Sequence, residues 1–518
     1  MTTSSVRRTD TLTRDALAVL QPGFTGTAAP AWLLRHLGDG LASVGLFSRN
    51  IDSAEQLATL TAQLREVSPD VLVAIDEEGG DVTRLEARTG SSFPGNAALG
   101  AVDDPRLTRG VAHELGRRLA AAGVNLNWAP SADVNSNPDN PVIGVRSFGG
   151  DPELVARHTV AYVDGMQSAG VATCVKHFPG HGDTAVDSHH VVPRVEADLD
   201  TLRARELVPF RAAVAAGTKG VMSGHILLPA LDPTYPGTVS PAALTGLLRA
   251  PESEGGLGHD GLIVTDGMEM RAISATYGLE RGCVLAVAAG ADAICVGGGL
   301  SGEDTVLRLR DALVRAVRDG ELKEERLADA AARVRSLAEW ARGAGAANAA
   351  VPALAPDPGI GMEAARRALR ATGLDTYKRP DGPVYVAAFT PVANIAVGDE
   401  TPWGLGAELR RMLPGTATAA YDGSVHAVDG DGGAAAGRDL GAEVLRAADG
   451  RRVVAVVRDA HRHAWMSAAL DTLVAARPDT VVVEMGLPQA EPRGALHLAT
   501  YGAARVCGRA AAEIIAGE

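Results

Sequence analysis

The feature that most constrains the fold is an alternation of short apolar runs with longer amphipathic segments through the first two thirds of the chain. Eight runs have the composition of buried strands, and they lie at 17–21, 44–48, 71–75, 124–128, 172–176, 220–224, 261–265 and 292–296. The segments between them, such as 104–122 and 151–168, carry apolar residues at three- and four-residue spacing, which is typical of helices that bury one face. This alternation predicts a parallel sheet covered by helices.

Two α/β architectures fit this pattern, a (β/α)8 TIM-type barrel and an open doubly wound sheet. A barrel of this type typically needs ~250 residues plus insertions, which suits eight strand–helix units. Polar residues follow several different strands, and barrel active sites are built at the carboxyl ends of the strands, so this placement favours the barrel. We therefore predict an N-terminal (β/α)8 barrel in this chain.

A second and smaller α/β pattern follows the barrel. Residues 343–359 are rich in Ala, Gly and Pro, as linkers often are, and a helix is predicted over 361–372. Strands are predicted at 383–388, 453–457 and 480–484, with helices near 404–413, 464–476 and 504–516. We predict a catalytic barrel over 1–345, a linker and connecting helix over 346–382, and a C-terminal αβα sandwich domain over 383–518.

Composition excludes several functional classes. The chain has 49 Lys and Arg against 63 Asp and Glu, a formal charge of −14, which disfavours binding to a phosphate backbone. Its four cysteines form no CxxC pair, so neither a disulfide framework nor a cysteine zinc site is supported. No run reaches the ~18–20 apolar residues of a membrane span, and the N-terminal residues lack a signal core. We expect a soluble cytoplasmic protein with neither nucleic-acid nor membrane partners.

The densest polar segment is KHFPGHGDT at 176–184, followed by DSHH at 187–190. It begins at the end of a predicted strand, and its glycines let the loop aim several side chains into one space. Two chemistries fit these residues. His181, Asp183, His189 and His190 could ligate a divalent metal ion. Alternatively, Asp187 orients the imidazole of His189, and the other ring nitrogen exchanges protons with a substrate.

Carboxylates and arginines follow other strands. Asp266 ends the apolar run LIVT and precedes Gly267, a placement that suits a nucleophile with an open approach. Asp76 with Arg84, and Arg146 in the segment GVRSFG, follow two further strands and could bind a polyhydroxylated ligand. Four other acidic residues are weaker candidates: Glu77 and Glu78 as turn or ion-pair residues, Glu269 as a second carboxylate, and Asp133, to which no role is assigned.

Four segments resemble, in their order along the chain, the motifs of glycoside hydrolase family 3. They are IDEEGG with the following Arg84, RSFGGDP, KHFPGHGDT with DSHH, and LIVTDGMEM. They are similar to those of its bacterial β-N-acetylglucosaminidase, or β-N-acetylhexosaminidase, branch, and they span residues 76–270. The pair KHFPGHG and DSH is specific to that branch. Residues 383–518 resemble, without a sharp motif, the αβα domain that follows the barrel in longer members.

The resemblance implies a role for each matching residue. Asp266 matches the nucleophile that forms a covalent glycosyl-enzyme, and His189 with Asp187 matches an acid/base dyad. The residues that match those holding the sugar beside the cleaved bond are Asp76, Arg84, Arg146, Lys176 and His177. No metal and no cofactor is implied. Retaining glycosidases usually pair two carboxyls, so His189 would replace the second one, and an imidazole near its ordinary pKa of ~6.5 can donate and recover a proton at neutral pH.

The leading expectation is a retaining exo-β-N-acetylglucosaminidase that releases terminal N-acetylglucosamine from short oligosaccharides. The absence of a signal core points to cell-wall fragments, as in peptidoglycan recycling, or to chitin fragments. Three alternatives stay open. A neutral His189 would not repel an anion, so inorganic phosphate could replace water and give a sugar 1-phosphate. The chain could be a metal-dependent barrel hydrolase that uses the histidine-rich loop. It could also be a sugar-binding protein without catalysis, although such a protein needs neither Asp266 nor the dyad.

Overall fold

The computed structural model describes residues 10–186, 192–299, 302–350, 357–391, 396–398, 401–423 and 439–517. The described residues fall into two compact units. The first takes those within Met1–Glu78, Asp104–Ile143 and Gly149–Pro358, and the second those within Gly79–Asp103, Gly144–Phe148 and Gly359–Glu518. Two short segments that lie between barrel strands in the sequence thus belong to the second unit. The domain boundaries at 345 and 383 stay predictions.

The first unit is built on eight short strands that run in parallel. Their bounds are β1 Leu20–Pro22, β2 Ser43–Leu46, β3 Leu72–Ile75, β4 Leu126–Asn127, β5 Ala172–Phe178, β6 Gly220–Ser223, β7 Leu262–Thr265 and β8 Ile294–Val296. Strands β2 to β7 pair in sequence order, and β8 pairs with β1. A bridge between Val264 and Ala293 joins β7 to the start of β8, and the Ser43 hydroxyl donates to the Leu20 carbonyl at 3.1 Å, between β2 and β1.

This order of neighbours is that of the predicted (β/α)8 barrel, and all eight predicted strands are present. The first of them starts later than expected, because residues 17 and 18 end a helix. The α-helices among the described residues are α1 Thr11–Ala18, α2 Ala31–Asp39, α3 Ala54–Val67, α4 Asn96–Val102, α5 Pro105–Ala121, α6 Pro152–Ser168, α7 Leu199–Ala204, α8 Leu207–Ala215, α9 Arg271–Tyr277, α10 Leu279–Ala289, α11 Glu303–Arg318, α12 Glu324–Ala350, α13 Ile360–Ala368, α14 Gly406–Met412, α15 Leu440–Ala448, α16 Ala464–Ala476 and α17 Arg505–Ala516. A π-helix covers Ala242–Arg249.

Local sequence explains where the barrel helices begin. Asp104 precedes Pro105 at the start of α5, and its carboxylate accepts hydrogen bonds from two main-chain N–H groups of the first turn. Asp151 and Pro152 repeat this arrangement at α6. Such a residue satisfies N–H groups that have no partner inside the helix, and proline has none to satisfy. Both helices therefore start within a residue of their predicted positions.

The second unit is a mixed six-stranded sheet between two layers of helices. Its strands are β9 Arg370–Thr372, β10 Tyr385–Thr390, β11 Ala417–Asp422, β12 Val453–Val457, β13 Val481–Glu484 and β14 Leu496–Ala499. The order across the sheet is β11-β10-β12-β13-β14-β9, and β9 alone is antiparallel to its neighbour. Helices α13, α14 and α17 pack on one face and α15 and α16 on the other. This arrangement confirms the predicted αβα sandwich. In neither unit is a described helix both long enough and apolar enough to cross a bilayer.

Candidate active site

The two-residue alternation of the barrel strands delivers charged side chains to one place. Alternate residues of the strands form a single buried cluster, which includes Leu72, Ala74, Ala172, Cys174, Leu262 and Val264. Because side chains of a strand alternate between its two faces, the next residue on the same face is two positions further on. The residues two positions after Ala74, Cys174 and Val264 of this cluster are Asp76, Lys176 and Asp266. These three predicted site residues therefore extend the barrel interior at the carboxyl ends of the strands.

Lys176 is held between two carboxylates. Its Nζ lies 2.5 Å from Asp76 Oδ1 and 2.7 Å from Glu78 Oε1, and its side chain is 3% exposed. A buried ammonium is tolerated when it is paired, and here one cation compensates two anions. The structure thus joins two predicted sugar-binding residues in one ion pair. It also gives Glu78 the role of ion-pair residue that we expected.

Asp133 holds the start of the histidine-rich loop. Its Oδ2 lies 2.7 Å from His177 Nδ1 and accepts from the Ser131 hydroxyl at 2.9 Å. Its Oδ1 accepts the main-chain N–H groups of His177 at 3.2 Å and His181 at 2.7 Å. Burial would raise the pKa of the Asp133 carboxyl, but the charge of His177 and these hydrogen bonds hold that pKa well below its ordinary value. The carboxylate is thus an anchor that fixes the ring of His177.

Two further residues of the loop have structural partners. The ring of His181 is buried, its Nδ1 lies 2.7 Å from Thr184 Oγ1, and burial followed by the charge of His177 lowers its pKa to about 4. At Gly182 a Cβ atom would lie 1.7 Å from the carbonyl oxygen of Val134, so no other residue fits without moving the backbone. The loop therefore packs directly on the chain that follows β4.

Arg205 fastens the outer part of the loop. Its guanidinium donates to Asp183 Oδ2 and to Glu206 Oε1, each at 2.6 Å. The Glu206 side chain is fully buried, and burial raises its pKa to about 7 although Arg205 opposes the shift. Asp183 is therefore an ion-pair residue.

Among the described residues no group of three or more His, Cys, Asp or Glu side chains is arranged to hold a metal ion. His189 and His190, which the metal alternative also needs, lie outside the described residues.

The turn after β7 fixes the carboxylate of Asp266. The Asp266 N–H donates to the Ser223 carbonyl at 3.0 Å, and the Gly267 N–H donates to Asp266 Oδ1 at 2.8 Å. A hydrogen bond donated to a carboxylate favours its ionised form, which is the form a nucleophile needs. Burial, and after it the charges of Glu269, Asp266 and Asp76, raises the pKa of the Cys295 thiol. The negative charges of carboxylates at the ends of two strands, β3 and β7, therefore act on one interior thiol.

Glu269 anchors the glycine loop that follows β8. Its Oε1 accepts the main-chain N–H groups of Gly297 at 2.9 Å, of Gly298, and of Gly299 at 3.3 Å. From the other side, Arg49 donates to the carbonyls of Gly297 and Gly298. The second carboxylate of the segment TDGMEM therefore holds the neighbouring loop of the barrel.

The remaining predicted site residues lie outside the described part of the first unit. Arg84 and Arg146 belong to the second compact unit, where Arg84 donates to the Ala396 carbonyl at 2.8 Å. Arg146 is buried, and its main-chain carbonyl accepts from the side-chain amide of Asn96 at 2.7 Å. Asp187 and His189, the predicted dyad, lie outside the described residues. The roles of these four residues stay predictions.

A model of the glycosyl hydrolase family 3 N-terminal domain matches residues 27–337, more than half of the chain. The chain belongs to glycosyl hydrolase family 3. The family predicted from the motifs is confirmed, and with it the class of enzyme, a glycoside hydrolase.

Relatives of the family 3 chain support its predicted branch. Over 317 residues it is 35% identical to β-hexosaminidase A of Pseudoalteromonas piscicida, covering 56% of the chain but only 52%, about half, of that relative. Over 286 residues it is 36% identical to the β-hexosaminidase of Stenotrophomonas maltophilia (strain K279a), covering 53% of the chain and 82% of the relative. A solved family 3 β-N-acetylglucosaminidase from Paenibacillus sp. str. FPU-7 superposes with a TM-score of 0.81 at 33% identity, over 98% of this chain and 97% of that one. These likenesses confirm the branch and the two-part fold.

Sequence reasoning left Asp133 without a role, and the structure makes it the partner of two histidines of the loop. A weak signal was present, since Asp133 lies in the segment after the fourth predicted strand, although Asp76 follows the third strand directly and Asp133 does not. What the sequence did not show is the contact itself, because 44 residues separate Asp133 from His177.

Proposed function

We propose that this family 3 chain is a retaining exo-β-N-acetylglucosaminidase and that Asp266 is its nucleophile. The observation that carries the proposal is the placement of Asp266. It directly follows barrel strand β7, it is only partly buried, and the next main-chain N–H donates to one of its carboxylate oxygens. A carboxylate held in this way has one oriented oxygen and needs little reorganisation before it attacks.

The proposed first step forms a bond between Asp266 and the anomeric carbon of the sugar and breaks the bond to the departing oxygen. His189 gives that oxygen a proton, and Asp187 stabilises the imidazolium that exists before the transfer. In the second step, water attacks the same carbon, His189 takes the proton from the water, and the carboxylate of Asp266 leaves. Two inversions at one centre give overall retention. The assignment of the dyad rests on the motif DSHH in a chain of this family.

The proposed sugar site consists of Asp76, Lys176 and His177 at the strand ends, together with Arg84 and Arg146. Lys176 and Asp76 form an ion pair before any ligand arrives, and Asp133 fixes the ring of His177. Hydroxyl groups of a sugar can donate to a carboxylate and accept from an ammonium or an imidazole N–H, so this set suits a polyhydroxylated ring.

The proposed substrates are short oligosaccharides with a terminal β-linked N-acetylglucosamine, such as cell-wall or chitin fragments. Support comes from the printed names of the relatives, two β-hexosaminidases and a β-N-acetylglucosaminidase. The cytoplasmic location predicted from the sequence stays a prediction.

The experiment is labelling of the full chain with 5-fluoro-N-acetylglucosaminyl fluoride, a slow substrate that accumulates the covalent intermediate. Peptide mass mapping should place one sugar on Asp266, and Asp266→Ala should abolish both the label and the release of nitrophenol from a nitrophenyl N-acetylglucosaminide. Asp260→Ala is the matched control, because Asp260 precedes the same strand and its side chain is 93% exposed. It should behave as the wild type does.

A label on any other residue, or full turnover by Asp266→Ala, would contradict the proposal. A panel of nitrophenyl N-acetylglucosaminide, N-acetylgalactosaminide and glucoside tests the sugar preference. Product analysis at millimolar phosphate separates hydrolysis, which we expect to give the free sugar, from the phosphorolysis alternative, which would give the 1-phosphate.

A further inference from the structure

A buried histidine contacts the turn that carries Asp266. His225 lies two residues beyond the end of β6, and its ring is buried. Its Nε2 lies 2.9 Å from the carbonyl oxygen of Gly267, the residue after Asp266. Because a carbonyl oxygen can only accept, Nε2 carries a proton and donates it to this contact.

The other ring nitrogen is held as well. Nδ1 of His225 lies 2.8 Å from the hydroxyl oxygen of Thr238, which lies 2.9 Å from the hydroxyl oxygen of Ser223. With Nε2 protonated, Nδ1 of the neutral ring accepts from Thr238, and the Thr238 oxygen is left to accept from Ser223. Thr238 sits in a 3-10 helix whose first residue, Gly237, donates to the Ile226 carbonyl at 2.8 Å. The ring is therefore fixed in both tilt and tautomer.

These contacts lead to the nucleophile through Gly267. Gly267 donates its N–H to Asp266 Oδ1 and accepts from His225 at its carbonyl. A glycine has more freedom about φ and ψ than any other residue, so contacts on its carbonyl help to keep its N–H in a set direction. The Gly267 carbonyl also accepts the Met270 N–H at 3.0 Å, and the buried ring of His225 is a second donor to it. The Asp266 N–H, on the other side of the residue, is bound to the Ser223 carbonyl at 3.0 Å.

We propose that His225 is a positioning residue for the nucleophile: by anchoring the Gly267 carbonyl, it directs the Gly267 N–H at the attacking carboxylate. This inference rests on the proposed role of Asp266. His225 contacts neither the sugar nor the reacting atoms in the scheme, so its loss should slow the formation of the covalent intermediate without weakening the binding of the sugar.

The test measures the rate of covalent labelling by 5-fluoro-N-acetylglucosaminyl fluoride as a function of its concentration. For His225→Ala we expect the limiting rate constant to fall ~10–100-fold, the usual result of a misplaced reacting group, while the half-saturating concentration changes little. His225→Gln retains an N–H donor at a similar distance from the main chain, so it should recover most of the rate, to within ~3-fold of the wild type.

His259→Ala is the matched control for a purely structural effect. His259 is another buried histidine, and its Nε2 lies 3.2 Å from the Leu262 carbonyl at the opposite end of β7. This variant should lose thermal stability and keep the wild-type labelling rate per folded molecule. If His225→Ala does not fold, Thr238→Val, which removes the group that fixes the ring, replaces it and should also slow labelling.

Several outcomes would overturn the proposal. Labelling of His225→Ala, or of Thr238→Val in its place, at the wild-type rate would show that the anchor does not matter. Equal slowing in His259→Ala would show a general loss of stability, and a His225→Gln variant as slow as the alanine variant would show that N–H donation is not the cause. A wild-type enzyme with no label on Asp266 would instead refute the proposed function.

Discussion

Replacement of Asp133 by Asn tests whether one buried carboxylate organises the histidine-rich loop. Asp133 accepts four hydrogen bonds: from the ring of His177, from the main-chain N–H groups of His177 and His181, and from the Ser131 hydroxyl. An asparagine amide has only one acceptor oxygen, so Asp133→Asn loses the two hydrogen bonds that the other carboxylate oxygen accepts. A hydrogen bond to a charged acceptor contributes ~1.5–3 kcal/mol, so the two lost bonds cost about 4 kcal/mol in total. A neutral amide is cheaper to bury by ~1–3 kcal/mol, which leaves a net loss of about 2 kcal/mol.

The assay combines urea unfolding with turnover of a nitrophenyl N-acetylglucosaminide. Asp133→Asn should lower the free energy of unfolding by about 2 kcal/mol and, since His177 loses its fixed orientation, lower kcat/KM ~10–100-fold. The folded-state pKa of Asp133 lies below its unfolded value, so the stability it contributes is present above about pH 4 and is lost as pH falls through the lower, folded-state pKa. The difference in stability between wild type and Asp133→Asn should therefore shrink in acid.

Asp292→Asn is the matched control for Asp133→Asn. Asp292 is equally buried, and its two oxygens accept from Arg326 and Arg249, each at 2.6 Å, on the segment that enters β8. This variant should also lose stability, since two arginines lose a charged partner, but its kcat/KM per folded molecule should equal that of the wild type. If Asp133→Asn also retained wild-type kcat/KM, the idea that the carboxylate positions His177 would be wrong.

Two further predictions concern the same loop. The pKa of Glu206 is about 7, above its unfolded value, so the stability it contributes is full below about pH 4.5 and is lost as pH rises through 7. The stability of wild type relative to Glu206→Gln, from urea unfolding, should thus fall by up to about 3 kcal/mol between pH 5 and 8, and an unchanging difference would contradict this. Gly182→Ala should destabilise the chain by ~1–3 kcal/mol in thermal unfolding and reduce turnover, because its Cβ meets the Val134 carbonyl. Gly343→Ala, where no atom lies within 4 Å, should do neither, and equal effects of both changes would refute the packing argument.

The barrel could be predicted from the sequence because its strands are short runs of buried apolar residues, and such runs differ in composition from the helices between them. Three strands of the second unit escaped prediction for related reasons. Strand β9 has only three residues, all exposed, and β11 at the sheet edge is rich in alanine and has one buried residue, Tyr421. Strand β14 interrupts its apolar pattern with His497. The helix predicted over 361–372 ends at Ala368 for the same reason, since β9 takes its last residues.

The first half of the predicted linker is helical. Helix α12 runs to Ala350, well into the stretch 343–359 that we interpreted as a linker. Alanine has the highest helix propensity of all residues, so an alanine-rich segment that continues an established helix stays helical. Composition of this kind predicts a linker reliably only when no helix leads into it.

The candidate site could be predicted as a set of residues but not as a set of contacts. Asp76, Lys176 and Asp266 follow apolar runs, and the two-residue alternation of a strand is visible in the sequence. The ion pair between Lys176 and Asp76 joins residues that are 100 positions apart. They meet because β3 and β5 lie on either side of β4 in the sheet. His225 and Gly267, which are also in contact, are 42 positions apart.

The contacts, unlike the residues alone, show how the acidic side chains around Asp266, the proposed nucleophile, are compensated. Like charges close together disfavour ionisation, and several other carboxylates follow strands of the same barrel: Asp76 and Glu78 after β3, Asp133 after β4 and Glu269 after β7. Each has its own compensation: Lys176 pairs with Asp76 and Glu78, the histidines surround Asp133, and main-chain N–H groups bind Glu269. Asp266 itself accepts the Gly267 N–H, and a hydrogen bond donated to a carboxylate favours its ionised form. These contacts are made within the protein, before any sugar is bound.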